Sequence, residues 1–199
     1  MAIRNIAIIG AATIASSASI APGDLVVTEA YGGVSGADGT ADWFEITNLG
    51  EESISTTGLF YDDESADTGD MVALSEMIIT AGESVIFLIS DSGAEDFDSF
   101  WGIAGVQVGY ADGAGLKEGD TVNLYDGNEW FSSLVLADVD DAYFTTQFGG
   151  VLSSLETGQF TSVGSAADGP LVGDPGTFVP APGAIALLVL GGGIARRRR

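Results

Sequence analysis

The sequence predicts an all-β domain, an antiparallel sandwich of short strands that carries one short helix. Between residues 24 and 177, short apolar segments recur at roughly ten-residue spacing and are separated by Gly, Asp and Ser. One segment alone, residues 94–103, has the periodicity of an amphipathic helix. Strands at this spacing, with turn residues between them, are typical of sandwiches rather than of βαβ units.

Three segments give the clearest strand patterns. Asp42–Asn48 alternates, with Phe44 and Ile46 on one fully apolar face. Ser84–Ile89 is the most apolar segment and is expected to be central in its sheet. An Asp-Gly-Asn turn at residues 126–128 predicts a hairpin between the runs on either side of it. The remaining predicted strands are residues 25–31, 54–61, 71–74, 77–79, 106–108 and 159–163.

The predicted helix at residues 94–103 depends on three aromatic side chains. Phe97, Phe100 and Trp101 follow the i, i+3, i+4 spacing that places them on one helical face. Acidic residues occupy the first turn, where the helix dipole favours negative charge, and Asp91 or Ser92 precedes it as a candidate cap. We expect this helix to pack against the sheet through its aromatic face.

Composition excludes several classes of function. The 199 residues include 29 acidic and six basic side chains, with no cysteine and no histidine. All the carboxylates lie between Asp24 and Asp174, where Lys117 is the single base. Such a charge repels phosphates, so no nucleic-acid partner is expected. Disulfides and thiolate chemistry are unavailable to this chain.

Candidate catalytic groups are restricted to carboxylates. Without histidine, a Ser-His-Asp triad and histidine acid–base chemistry cannot form. We therefore predict no catalytic residues and no enzyme, with a carboxylate-based polysaccharide hydrolase as the alternative. Burial of Glu29 or Glu45 within its strand would be the feature to expect of such a hydrolase. In a sandwich, the same two side chains would cap loop amides or face solvent.

One acidic loop is a candidate calcium site, and no other cofactor is predicted. Five carboxylates lie within nine residues, a density that hard oxygen-seeking cations favour. The candidate ligands are Asp62, Asp63, Glu64, Asp67 and Asp70. Their spacing does not match an EF-hand, and solvated acidic loops are the simpler explanation. Calcium binding would indicate a calcium-stabilised adhesion module.

The three tryptophans offer a further alternative. Trp43, Trp101 and Trp130 could together form a platform on which a sugar ring stacks. Aromatic side chains at strand and helix positions more often belong to the core. The sequence alone leaves both assignments open.

The N-terminus has the three-part arrangement of a secretory signal peptide, residues 1–18. Arg4 is followed by an apolar stretch at residues 6–15 and then by small residues. Cleavage after Ala18 satisfies the preference for small side chains, whereas cleavage after Ala21 would place Pro22 next. We therefore expect export through the Sec machinery.

The C-terminus, residues 178–199, combines three features in a fixed order. A proline-rich entry comes first, then a twelve-residue apolar run at 184–195, and then four arginines. A helix needs roughly twenty apolar residues to cross a bilayer core of ~30 Å, so this segment is marginal as a permanent span. The arginines would hold its end on the cytoplasmic side.

This tail resembles a PEP-CTERM sorting signal. The residues that carry the resemblance are Pro180, Ala181, Pro182, Gly183, Arg196, Arg197, Arg198 and Arg199. The departure is Ala181, where the family motif has glutamate. The resemblance implies processing by an exosortase-type enzyme in a bacterium with two membranes, after transient anchoring in the inner membrane. The alternative is a plain C-terminal anchor.

The body, residues 24–177, resembles a lamin-tail domain. The matching segments are Leu25–Ala30, Asp42–Asn48, the Ala-Gly-Glu turn at 81–83 that leads into Val85–Leu88, the Gly-Asp-x-Val-x-Leu strand within 115–124, and the late Pro-Gly segment at 172–177. The resemblance implies an immunoglobulin-like β-sandwich. Together the two resemblances imply an exported, non-catalytic module at the cell surface or in the extracellular matrix. Its partners would then be matrix polysaccharide or other surface proteins.

Overall fold

The computed structural model describes residues 24–32, 41–63, 67–89, 97–138, 144–153, 160–162 and 170–178. Within these ranges the chain forms fourteen strands and one helix. In chain order they are β1 (Leu25–Tyr31), β2 (Asp42–Asn48), β3 (Ile54–Ser55), β4 (Leu59–Asp62), β5 (Val72–Ala73), β6 (Ile78–Ile79), β7 (Ser84–Ile89), α1 (Phe97–Trp101), β8 (Gln107–Ala111), β9 (Thr121–Asp126), β10 (Glu129–Val135), β11 (Thr146–Gln147), β12 (Val151–Leu152), β13 (Phe160–Thr161) and β14 (Val172–Gly173).

Two sheets form the body of the domain. The larger has six strands in the order β12-β11-β1-β2-β7-β8, and the smaller has four in the order β10-β9-β4-β5. Two short pairs, β13-β14 and β3-β6, complete the described strands. The chain is therefore mostly β with one short helix, as predicted, and β7 lies in the interior of its sheet.

The prediction of a purely antiparallel arrangement is wrong at one place. Strand β8 pairs with β7 in parallel, whereas the other paired strands of the two large sheets run antiparallel. Parallel neighbours need a crossover connection, and here α1 lies within it. The crossover buries the aromatic face of α1, because Phe97 and Trp101 are 2% and 1% exposed.

The two sheets enclose an apolar core. Alternate residues of β1, β2 and β7 meet alternate residues of β4, β9 and β10, as sandwich packing requires. Phe44 lies at its centre, with ring centroids 5.0 Å from Tyr61 and 5.5 Å from Phe87. We call this side of the six-stranded sheet the inner face. The opposite side, the outer face, is covered by α1 and by residues 170–178.

Glycines set the boundaries of several elements. The predicted hairpin is confirmed: β9 and β10 are joined through Gly127 at φ +59°. The predicted strand at 54–61 is instead two strands, β3 and β4, because Gly58 turns the chain at φ +86° between them. The helix occupies Phe97–Trp101 of the predicted 94–103 and is followed by Gly102 at φ +68°. Residues 94–96 and the proposed cap lie outside the described residues.

Candidate functional site

A β-bulge places two glutamates side by side on the outer face. The register pairs Val27 with Ile46 and then Glu29 with Glu45, so Thr28 is the extra residue. Opposed residues of an antiparallel pair project from the same side of the sheet. Without the bulge, strict alternation would direct the Glu29 side chain to the same side as Val27, into the apolar core. The bulge therefore creates a pair of neighbouring carboxyl groups.

Residues 173–176 cover this pair. The backbone N–H of Asp174 donates to Glu29 Oε1 at 2.9 Å, and the N–H of Gly176 donates to Glu45 Oε2 at 2.6 Å. The two glutamates are only 2% and 1% exposed. Gly173 permits this close approach, because a Cβ there would lie 2.8 Å from Glu29 Oε1. The carboxyl pair therefore binds the backbone of a loop that is distant in sequence.

Hydroxyl groups complete the environment of Glu45. Thr28 Oγ1 donates to Glu45 Oε1 at 2.5 Å and lies 2.8 Å from Thr47 Oγ1. Thr47 Oγ1 in turn lies 2.7 Å from Ser84 Oγ. This row of hydroxyls runs across β1, β2 and β7. It supplies the donors that a buried carboxylate requires.

Glu29 has a less complete set of partners. Its Oε1 accepts from the Thr145 hydroxyl as well as from the Asp174 N–H, and Thr145 Oγ1 lies 2.5 Å from Ser153 Oγ. Its Oε2 is buried and has no hydrogen-bond partner among the described residues. An ionised carboxylate with one bare oxygen would be costly in this position.

Burial shifts the acidity of both groups in the same direction. It raises the pKa of Glu29 well above its ordinary value, and the nearby charge of Glu45 raises it further. It raises the pKa of Glu45 to about 7, although hydrogen bonds from Thr28 and Gly176 oppose the shift. Lys117, the single cation in the described part of the chain, instead lies 3.6 Å from Asp120.

The covering segment is anchored at further points along its length. The Thr145 N–H donates to the Val172 carbonyl at 3.0 Å, and Gln147 Nε2 donates to Asp174 Oδ2 at 2.5 Å. Phe178, the last described residue, packs edge-on against Phe148 at a centroid distance of 6.0 Å. Residues 172–178 therefore lie along β11 and across the glutamate pair.

The expectations for Glu29 and Glu45 are met in part. Both are buried, which was the feature expected of a hydrolase, and neither faces solvent. Both cap loop amides, which was the structural role expected in a sandwich. A glycosidase needs its sugar between two carboxyl groups. Here the backbone of residues 173–176 contacts both groups.

The tryptophans do not form one platform. Trp43 and Trp101 are buried on the outer face with their ring centroids 5.8 Å apart at 89°. Phe97 completes this aromatic cluster, 5.6 Å from Trp43. Trp130 lies on β10 and is 58% exposed. Two tryptophans therefore belong to the core, and a surface role is left to Trp130.

The candidate calcium ligands have different environments. Asp62 is buried at the end of β4, Asp63 is half-buried, and Asp67 and Asp70 are exposed. Asp67 caps its own turn by accepting the Gly69 N–H at 2.9 Å. No group of three or more carboxylates suited to a metal occurs among the described residues, and Glu64 lies outside them. Calcium binding stays a prediction.

The residues predicted to direct export and sorting lie outside the described residues. These are the signal-peptide cleavage at Ala18 and the sorting residues Pro180, Ala181, Pro182, Gly183, Arg196, Arg197, Arg198 and Arg199. In the part of the chain that the structure does describe, no helix combines the length and apolar character that a membrane crossing requires.

Comparison of the sequence with protein-family models gives no match, and comparison with curated proteins gives none either. The function is therefore proposed from the residues of the chain itself.

Sequence reasoning named Glu29 and Glu45 but did not bring them together with residues 172–176. A strand pattern does not reveal a bulge, and the partner of Glu29 is 145 positions away along the chain. The signal that could have found the contact is the late Gly-Asp-Pro-Gly sequence at 173–176. Such a segment offers free backbone N–H groups at a turn.

Proposed function

We propose that this protein is an exported, non-catalytic binding or structural module of the bacterial envelope or exopolysaccharide matrix. One observation carries this proposal. Glu29 and Glu45, the buried carboxyl pair on the outer face, accept hydrogen bonds from the backbone N–H groups of Asp174 and Gly176. These interactions stabilise the sandwich and leave the pair contacting its own chain.

We further propose that the sandwich is of the lamin-tail type. Three segments that carry the resemblance, β1, β2 and residues 172–177, are distant in sequence but meet at the glutamate pair. The opening strand supplies Glu29, the second strand supplies Glu45, and the late segment supplies the amide donors. A shared structural role gives one physical reason for these residue types to occur together.

Delivery to the surface is proposed from the two ends of the chain. Residues 1–18 have the pattern of a signal peptide, and residues 178–199 resemble a PEP-CTERM tail. The acidic body suits an exported domain, since like charges keep the module soluble and oppose contact with phosphate polymers. The proposed partners are the Sec machinery, an exosortase-type enzyme, and matrix polysaccharide or other surface proteins.

The sorting proposal is tested by replacing Arg196, Arg197, Arg198 and Arg199 with glutamine in the full chain. The variant is expressed in a double-membraned bacterium that has an exosortase, with Lys117→Gln as the matched control. We expect the tail variant to be lost from the cell surface and the control to be displayed normally. Mass spectrometry of the mature C-terminus should show tail removal only when the exosortase is present. Unchanged display of the tail variant would contradict the proposal.

The non-catalytic assignment is tested separately. The purified chain is incubated with the exopolysaccharide of the expressing host, and the release of reducing ends is measured. We expect no release above that of a buffer blank. Release of reducing ends by the wild-type protein that is lost in Glu45→Gln would contradict the non-catalytic assignment and support the alternative hydrolase.

A further inference from the structure

Residues 172–176 are held on the outer face by pairing of Val172 and Gly173 with β13, by bonds to Thr145 and Gln147, and by two carboxyl groups that have no cation beside them among the described residues. The donors are the N–H groups of Asp174 and Gly176, and the acceptors are Glu29 and Glu45. Directly opposed like charges repel, and burial adds a desolvation cost to each charge. A hydrogen-bonded arrangement of this kind requires that the pair carry fewer than two charges.

The hydrogen bonds indicate which of the two groups keeps its proton longer. Both oxygens of Glu45 accept, Oε1 from the Thr28 hydroxyl and Oε2 from the Gly176 N–H, as an ionised carboxylate would. Glu29 accepts only through Oε1, and its buried Oε2 has no partner among the described residues. A proton on Oε2 makes Glu29 neutral and leaves Oε1 free to accept. Glu45 is therefore the first of the two to ionise, and Glu29 keeps its proton longer.

We propose that Glu29 and Glu45 hold residues 174–176 against the sheet while Glu29 is protonated, and that loss of the Glu29 proton releases the Asp174 and Gly176 amides. This release would loosen the segment that leads into the predicted sorting tail. The inference concerns the sandwich alone, so it holds or fails independently of the proposed surface function.

The charged groups near the pair favour this behaviour. The covering segment contributes the Asp174 carboxylate, whose charge raises the pKa of Glu29. The neighbouring strands contribute neutral hydroxyls, from Thr28, Thr47 and Ser84. Helix α1 contributes one acid, Asp98, which is exposed. Ionisation of Glu29 would thus bring three carboxylates together without a compensating cation among the described residues.

The test follows the protection of individual amides from hydrogen exchange in the full chain between pH 5 and pH 9. Rates are divided by the intrinsic rates at each pH, and the N–H of Gly82, which donates to the Asn48 carbonyl in a turn, is the internal reference. We expect the protection of Asp174 and Gly176 to fall together at least tenfold across this range, while the Gly82 protection stays constant. Constant protection of all three amides would overturn the proposal.

Two variants distinguish the effect of the Glu29 proton on amide protection from the effect of close packing at Gly173. Glu29→Gln keeps Oε1 for the Asp174 N–H and mimics the protonated acid, so we expect protection to remain high at pH 9. The matched control Glu129→Gln changes an exposed glutamate on β10 and should keep the wild-type fall. Gly173→Ala places a Cβ within 2.8 Å of Glu29 Oε1 and should lower protection at every pH. A wild-type fall that persists unchanged in Glu29→Gln would contradict the assignment of the proton.

Discussion

The two faces of the six-stranded sheet are buried by different physical means. The inner face meets the four-stranded sheet through apolar side chains, with Phe44 stacked on Tyr61 and Phe87. The outer face is divided between an aromatic cluster under α1 and the glutamate pair under residues 172–176. Apolar burial is insensitive to pH, whereas a buried carboxyl pair is not.

The two faces therefore have different roles: the inner face determines overall stability, and the polar half of the outer face determines how one segment responds to pH. The inner face supplies most of the apolar burial and is expected to hold the sandwich together at any pH near neutrality. The polar half of the outer face holds one segment by a few hydrogen bonds whose strength depends on protonation. Regions held in this way open at lower free energy than the core. The following changes test the two faces separately, except the last, which tests an exposed residue outside both.

The largest expected effect comes from Phe44→Ala on the inner face. Removing a fully buried phenylalanine loses its transfer free energy and leaves a cavity, which costs about 3–5 kcal/mol. Denaturant unfolding should show this loss equally at pH 5 and pH 8. A loss that depends strongly on pH would mean that the two faces are not independent.

The next effect is the pH dependence of the wild-type protein. The pKa of Glu45 rises from an ordinary 4.5 to about 7 on folding, so the folded state holds more protons between these values. The stabilising contribution is complete below pH 4.5 and is lost as the pH rises through 7, by about 3 kcal/mol in total. Glu29, whose pKa is also raised, acts with the same sign. Unfolding measured from pH 5 to pH 8 should show stability falling.

The pH effect of the pair must be separated from repulsion among the other carboxylates. Glu45→Gln removes the group whose pKa rises to about 7 and should flatten the pH profile between pH 5 and pH 8, while exposed Glu129→Gln should leave the wild-type slope. Parallel profiles for all three proteins would assign the slope to general charge repulsion instead.

A smaller effect is expected for Thr145→Val. This change keeps the volume but removes the hydroxyl that donates to Glu29 and contacts Ser153. Leaving buried polar groups without this partner should cost about 1–3 kcal/mol. Thr161→Val on β13, an exposed position in the same region, is the matched control and should change stability by less than about 0.5 kcal/mol. Equal losses in the two variants would remove the special role of the Thr145 hydroxyl.

The smallest effect on stability is expected for Trp130→Ala, because this ring is 58% exposed. Unfolding should change by no more than about 0.5 kcal/mol. Trp130 is therefore the tryptophan that can be removed to test surface binding without disturbing the fold. Weaker retention on matrix polysaccharide with unchanged stability would assign it a binding role. A large loss of stability would show that it packs more tightly than its exposure indicates.

Local patterns in the sequence were sufficient for the long elements. Alternation in Asp42–Asn48 and continuous apolarity in Ser84–Ile89 gave correct strands, and Asp-Gly-Asn gave the hairpin. The two-residue strands from β11 onward are too short to show a period, and the parallel β7–β8 pair depends on packing of α1. The site was the least predictable part. It depends on a bulge at Thr28 that the strand pattern does not reveal, and on a hydrogen bond between Glu29 and Asp174, which are distant in the sequence. Such contacts are properties of the tertiary structure.

The most direct measurement is a carbon-13 NMR titration of the side-chain carboxyls of Glu29 and Glu45. The opposed positions of the two buried carboxyls predict that both groups respond in coupled steps above the ordinary 4.5, with Glu29 the last to ionise. The Asp174 and Gly176 amides should shift with the same steps. Independent titration of both carboxyls near 4.5, with the segment still in place, would contradict the account.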